Sequence, residues 1–317
     1  MTGLPRLGEV RDAKAEPDDE RLYSATTAVG VMDKPALIPW AVGITAERAV
    51  EKLDVIARRR DEEGIDAAVD YVKRLRWQTE GRLSDADLGS VAHHLFNVYA
   101  LTGARPEVTT ELHPRYAVDH SLLHADDLAA LFRMLDQFDR FLQGFQPEYL
   151  ATEIVVFHAE MGYAGQADAF LSIDGVPLIA DYKTSRKTYD ARGKVRSPYP
   201  EVGLQLAAYR YAKLAAIWRA RRYESNRRRY YLLGPDERKA AVPVPEVEGG
   251  IAIRVTPDHL AVHPVRCGPR EHKAFLFCLE LARWSFNDAA GVVGNEMVPT
   301  HATEQLDDDP FVGLPTY

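Results

Sequence analysis

The sequence predicts a mixed α/β fold of the α+β kind, a helical first half followed by a mixed β-sheet with helices packed on it. Three observations carry this. Apolar residues recur at helical spacing up to about residue 142, whereas 152–183 holds short β-branched runs. Asp174-Gly175 lies between two such runs, the strongest short-range hairpin signal. Strand-like and helix-like segments then alternate to about residue 290. With 317 residues, 46% of them hydrophobic and 27% charged, the chain can bury a full core and is neither fibrous nor disordered.

Taken in order, 45–80 and 84–101 read as helices. Ser84 is placed to cap the second, with Asp87 three residues later and Gly103 just past its end. A third helix runs over about 126–142, with Leu128, Leu131, Phe132, Leu135, Phe138 and Leu142 at core-facing spacing. Strands are expected at 152–158, 168–173 and 176–183. After Pro198 and Pro200 a helix covers 203–222, strands follow at 230–233, 251–255 and 260–265, and a closing helix spans 271–290. The segment 24–41 is unusually apolar and gives no readable role. No linker divides the chain, so 21–295 reads as one domain, helical over 45–145 and sheet-bearing over 150–290. Acidic ends, 1–20 and 296–317, are expected to be flexible.

The net charge of −8 belongs to those ends: 9–20 carries six acids against two bases, and 296–317 five acids with no Lys or Arg. The body between is neutral, which leaves a nucleic-acid partner open without favouring it. No window approaches eighteen apolar residues, and the first twenty lack a signal-peptide core, so the expectation is a cytoplasmic protein with no membrane partner. The two cysteines, Cys267 and Cys278, make neither a disulfide framework nor a thiolate metal site. Any metal must sit on oxygen or imidazole.

A two-residue turn at 174–175 fixes the hairpin register and sets Asp168 opposite Asp181, with Cβ atoms about 5 Å apart. Lys183, two residues on, points to the same face. Facing carboxylates repel unless a cation lies between them, and a hard ion such as Mg²⁺ or Mn²⁺ answers that need. The lysine would orient or deprotonate a water beside it. By the same argument Asp168→Asn should stabilise the metal-free protein. The alternative is a pair of solvated strand ends, against which the apolar run Val176–Ala180 drives the strand into the core.

GYAGQAD, the thirteen-residue spacing to DYKT, and then LQLAAYR resemble the RecB-type branch of the PD-(D/E)XK nuclease superfamily, which includes CRISPR-associated RecB-like exonucleases and many exonucleases of actinobacterial phages. The resemblance covers about residues 24–290 and implies a restriction-endonuclease-like fold. It implies that Asp168, Asp181 and the backbone carbonyl of Tyr182 bind metal and that Lys183 is catalytic. GSVAH at 89–93 matches the upstream Gly-Ser/Thr-x-x-His helix motif and makes His93 a ligand, with His94 as the alternative. The Gln-x-x-x-Tyr motif falls on Gln205 and Tyr209, and Glu153 matches the acid at the start of the preceding strand. Read from spacing alone, Gln205 and Tyr209 share a helix face and can reach one substrate strand, or are a surface Gln beside a half-buried Tyr. Glu153 is a second metal ligand or a solvated strand start. Ala167 stands where the superfamily's name has proline, as is usual in this branch. Members with an iron–sulfur cluster use four cysteines, so none is expected here.

After the lysine, Arg186, Lys187, Arg192, Lys194 and Arg196 face one acid, Asp190, in a loop suited to the phosphates of a single strand. A second basic cluster, 219–229, reads as a solvated helix end, and the tail motif DDDPF at 307–311 as solvated. The expected function is a Mg²⁺- or Mn²⁺-dependent DNA exonuclease acting on single strands or DNA ends in recombination, repair or phage replication, in the host cytoplasm if phage-encoded, with a recombination or replication protein as a further partner. The rivals are an inactive DNA-end-binding or recombination-partner protein that keeps the fold, and a structure-specific endonuclease. Oligomeric state is not legible.

Overall fold

The computed structural model describes residues 21–32, 37–75, 83–108, 124–190, 193–216, 221–224, 227–231 and 241–294. The acidic ends, Arg192 and part of the 219–229 cluster lie outside them. A compact unit ends at Ala282, and a smaller one begins at Arg283. No described helix is long and apolar enough to cross a membrane.

Asp174 and Gly175 have φ of 51° and 80°, the positive values a tight hairpin turn of the I′ kind requires at both central positions. The turn joins β3 (Tyr163–Ile173) to β4 (Val176–Thr184), and the pairs run from Ile173–Val176 to Ala169–Ala180 in the predicted register. β2 (Glu148–His158) lies antiparallel along the other edge of β3. Next to β4 come β9 (Gly249–Val255), parallel to it, and β10 (Leu260–Val265), antiparallel to β9. β5 (Leu214–Ala216) and β8 (Val242–Pro243) extend the sheet beyond β2. β1 (Arg21–Ser24) pairs parallel with the start of β3 and antiparallel with β7 (Arg227–Tyr231), which pairs with β6 (Arg221–Glu224). The described strands thus form one mixed ten-stranded sheet, consistent with the expected restriction-endonuclease-like architecture.

Helices cover both faces. On one, α1 (Ala25–Val29), α7 (Val202–Arg210) and α8 (Pro269–Asn287) bury Val29, Leu206, Phe275 and Leu279 against Phe170 and Ile179. On the other, α5 (Asp85–Thr102) and α6 (Ala125–Phe145) bury Leu95, Phe96, Leu131 and Phe138 against Leu171, Tyr182 and Ile253. Each such side chain contributes about 1.5–3 kcal/mol. The α5 caps are those the sequence marked: Ser84 Oγ accepts from Asp87 N at 3.1 Å, and Gly103 closes the helix at φ 69°.

Three segments differ from expectation. The single helix at 45–80 is α2 (Leu37–Glu51), α3 (Leu53–Glu63) and α4 (Ile65–Leu75), broken at Lys52 and at Gly64, whose φ of 94° a helix cannot contain. The helix expected to reach 222 stops at Arg210, because Leu214–Ala216 pair with Val155–Phe157 on the free edge of β2. Strand pairing there overrides helical propensity. The apolar stretch after Ser24 includes α1, whose Ala25, Ala28 and Val29 enter the core beside α7.

Candidate active site

The hairpin ladder stops at Ala169–Ala180, one residue short of the two aspartates. Beyond it β4 continues beside β9 alone, from Asp181–Ala252 to Thr184–Val255. β3 meets β1 at Tyr163 and Ala164. Among the described pairs, Gly165–Asp168 therefore has no partner on that edge, and the sheet forks. Asp168 Oδ2 closes the fork by accepting from the backbone N–H of Tyr182 at 2.7 Å, replacing the lost ladder bond.

Three elements converge on the fork. α5 approaches closely because residue 89 is glycine: a Cβ there would lie 2.8 Å from Thr184 Oγ1. One turn later His93 brings Nδ1 to 3.6 Å from Asp168 Oδ1 and its ring edge-on to Tyr182. From β2 comes Glu153, opposite Asp168 and at φ 51°, a left-handed backbone that costs a side-chain-bearing residue about 1–2 kcal/mol. Strain of this kind persists where the surroundings impose it, and it concentrates at functional sites. His93, Glu153 and Asp168 each place a potential ligand atom within 4.8 Å of the others. Asp181 is outside that group of three.

Asp181, 2% exposed, has a different set of partners. Its Oδ1 accepts from Gln205 Nε2 at 3.0 Å, and its Oδ2 lies 2.7 Å from Lys183 Nζ. That ammonium is the partner of the buried Oδ2, which has no further hydrogen-bond donor among the described residues. Gln205 Nε2 also lies 3.2 Å from the Tyr209 hydroxyl. The Tyr209 ring is 2% exposed and packs on Gly165, where a Cβ would be 2.3 Å from its Cε1. Tyr209 therefore does not reach a substrate strand as the spacing allowed. It backs Gln205, which holds Asp181. The second glycine of GYAGQAD exists for that ring.

The two aspartates titrate in opposite directions. Burial pushes Asp181 up, to about 6, against the pull of Lys183 and with the help of Asp168. Burial acts on Asp168 as well, but His93, Lys183 and the Tyr182 N–H outweigh it and hold its carboxyl below the ordinary range. The expectation that Asp168 is a destabilising charge is corrected here: its ionised form has three stabilising partners, and the cost falls on Asp181. Burial lowers His93, yet Asp168, Glu153 and Asp181 raise it overall. Lys183 is likewise raised, since Asp181 and Asp168 outweigh its burial. It is an ammonium at neutral pH, a hydrogen-bond donor and a poor base.

The expected basic loop divides. Arg186 is bound within the protein: its guanidinium meets Asp127 at 2.5 Å, Asp85 at 3.0 Å and the Leu83 carbonyl at 2.6 Å. It ties the exit of β4 to the starts of α5 and α6, which removes it from the residues free to meet a phosphate. Lys187 and Lys194 are exposed and Arg196 is half-buried. Sequence reasoning missed Arg254, 4% exposed on β9 beside Lys183, whose guanidinium donates to the carbonyls of Lys187 at 3.0 Å and Thr188 at 3.4 Å. Its only signal was an arginine inside an apolar strand.

The family model of the PD-(D/E)XK nuclease superfamily matches residues 66–275, a span that contains every residue placed at the fork. No curated protein matches the chain. Among solved structures, the crystal structure of SSO0001 is 15% identical over 67% of this chain and 79% of that one, with a TM-score of 0.27, a likeness that carries no argument.

Proposed function

Since the chain belongs to the PD-(D/E)XK nuclease superfamily, we propose that it is a RecB-like, metal-dependent deoxyribonuclease that works as an exonuclease on DNA ends in recombination, repair or phage replication. The observation that carries the reading is the fork, which gathers an imidazole and two carboxylates within 4.8 Å of one another beside the ion pair of buried Asp181 with half-buried Lys183.

The donor set fits a divalent ion. His93, Glu153 and Asp168 offer nitrogen and oxygen ligands at one point, and the carboxylate of Asp181, paired with Lys183, adds negative charge nearby. Mg²⁺ or Mn²⁺ held by these residues would supply positive charge to the scissile phosphate and its attacking water. The protein's own groups do the rest. Lys183, held as an ammonium, donates to the water or to a phosphate oxygen and leaves proton abstraction to another group. Gln205, braced by Tyr209, fixes the rotamer of Asp181. In the hydrolysis the water oxygen forms the new bond to phosphorus as the ester P–O bond breaks. One water proton ends on the leaving oxygen, giving a hydroxyl and a phosphate monoester.

The test is digestion of end-labelled single- and double-stranded DNA with Mn²⁺, beside a closed circular control. Shortening from the ends with the circle intact is expected. Cutting of the circle would make the protein an endonuclease, and no cleavage with any divalent ion would leave a DNA-binding relative of the nucleases.

A further inference from the structure

We propose that the segment joining β4 to α7 is a stacking platform for single-stranded DNA, on which the ring of Tyr189 lies against an unpaired base and Tyr199 offers a second contact. This rests on the nuclease reading for its location and names the substrate form.

Placement comes first. The described residues of the segment, 185–190 and 193–201, start two residues after Lys183 and end at the helix that carries Gln205. Both of its anchors therefore hold side chains of the fork, Lys183 before it and Gln205 after it. Among the described residues, Tyr189 at 52% and Tyr199 at 57% are the tyrosines that stand out as exposed. The other tyrosines whose side chains are described are buried or half-buried. Isolated exposed aromatics are ordinary on a protein surface. Two on one segment beside a nuclease fork, with Lys187, Lys194 and Arg196 between and around them, are a pattern that matches the backbone and the bases of one strand together.

The ring of Tyr189 is also presented on a hydrogen-bonded support. Tyr189 bridges to Val195, Asp190 N donates to the Lys194 carbonyl at 2.8 Å, and Lys194 N donates to Asp190 Oδ1 at 2.9 Å. Gly193 takes φ 75°, which closes the turn. Arg196 N returns to the Thr188 carbonyl at 3.1 Å, and the Thr188 and Thr256 hydroxyls meet at 2.8 Å. Beneath lies the buried Arg254, binding the carbonyls of Lys187 and Thr188. A ring held open to solvent on such a base loses little entropy when a ligand covers it. A base in a duplex already has both faces stacked. An unpaired one does not, and so the platform selects single strands.

Binding measured by fluorescence anisotropy in chelator tests this on three ligands: a labelled single strand, the blunt duplex of the same sequence, and the single strand carrying abasic residues. Wild type should bind the abasic strand about tenfold or more weakly than the intact one, the loss expected of one stack. Tyr189→Ala should lose a similar factor on the intact strand, little more on the abasic strand, and less than twofold on the duplex. Tyr189→Phe should retain binding, and the salt slope of Tyr189→Ala should match wild type, since no phosphate contact is removed. Equal losses on intact and abasic strands, equal losses on the duplex, or no preference of wild type for the intact strand would overturn the platform. Adding Mn²⁺ to wild type with the same strand separates the two ideas. Tyr189-dependent binding without cleavage would sink the nuclease and leave the platform standing, and cleavage without Tyr189-dependent binding would do the reverse.

Discussion

The two ends of one hairpin differ in what they are built for. At the turn end, β3 and β4 keep every pair from Ile173–Val176 to Ala169–Ala180, and apolar side chains such as Phe170, Leu171 and Ile179 are buried on both faces. At the fork end the same strands part, and a carboxylate, Asp181, is buried there, paired with the half-buried Lys183. Backbone pairing there is replaced by side chains: Asp168 stands in for a carbonyl toward Tyr182 N, and Glu153 sits at φ 51° to face it. The turn end contributes stability. The fork gives some of it up for a cluster of charges that a well-packed apolar site would never need.

Breaking the fork chemically should have the largest effect. Lys183→Met removes the ammonium beside Asp181 and the donor proposed for the water, so initial cleavage rates should fall by about 10²–10³-fold. The ladder at the turn end does not involve this residue, and circular dichroism should show the fold kept. A rate within threefold of wild type would remove Lys183 from the chemistry.

A steric break comes next. In Gly165→Ala the new methyl would sit 2.3 Å from the Tyr209 ring, and overpacking of that kind costs about 1–3 kcal/mol. The melting temperature should fall by about 2–12 °C, and cleavage should fall as well because Gln205 loses its brace. Adding Tyr209→Leu should make the double variant less destabilised than the sum of the singles, while leaving the rate low. Additive losses would mean that the glycine and the ring do not meet.

The paired aspartates allow a sharper comparison. Asp168 has a depressed pKa, so its charge contributes stability above the unfolded value, and that is lost as pH falls through the folded one. Asp181, raised to about 6, has the opposite sign: its contribution is present below the unfolded pKa and is gone once pH rises through about 6. In chelator at pH 8, Asp168→Asn should therefore lower the melting temperature. Asp181→Asn should raise it by the equivalent of about 1–3 kcal/mol, with the gain shrinking at pH 5. Melting curves that move the same way for both variants would show that the fork treats the two carboxylates alike.

How much of this was legible follows from the same contrast. The hairpin, its register and the capped helix that carries His93 rest on local signals, an Asp-Gly turn, strand alternation and a Ser cap, and each was readable. Asp168, Asp181 and Lys183 came from that register together with the family resemblance. The fork itself was not readable, because it depends on β1, which pairs with β3 where β4 has left it, and on β9, which carries β4 onward along its opposite edge, both more than sixty residues away in the chain. The repulsion between the facing carboxylates was legible and helps raise Asp181, but that Asp168 has His93 and Tyr182 N as partners was not. Arg186 looked like the rest of its basic loop, and only the fold shows it reaching Asp85 and Asp127.

The smallest effect is expected at the turn, and it tests whether the two ends are independent. Gly175 has φ 80° with nothing within 4 Å of a Cβ placed there, so Gly175→Ala meets no neighbour and changes only the conformational cost of the turn. That cost is about 1–2 kcal/mol for a residue forced to positive φ. The melting temperature should fall by about 2–4 °C per kcal/mol. Below the transition, the cleavage rate per folded molecule should equal that of wild type, because the apolar pairs up to Ala169–Ala180 hold the register without help from the turn. Comparing rates at two temperatures, one well below the melting point and one near it, separates a loss of folded protein from a loss of chemistry. A rate that is reduced even at the lower temperature would mean that strain at the turn travels the length of the hairpin, and that the apolar ladder does not insulate the fork.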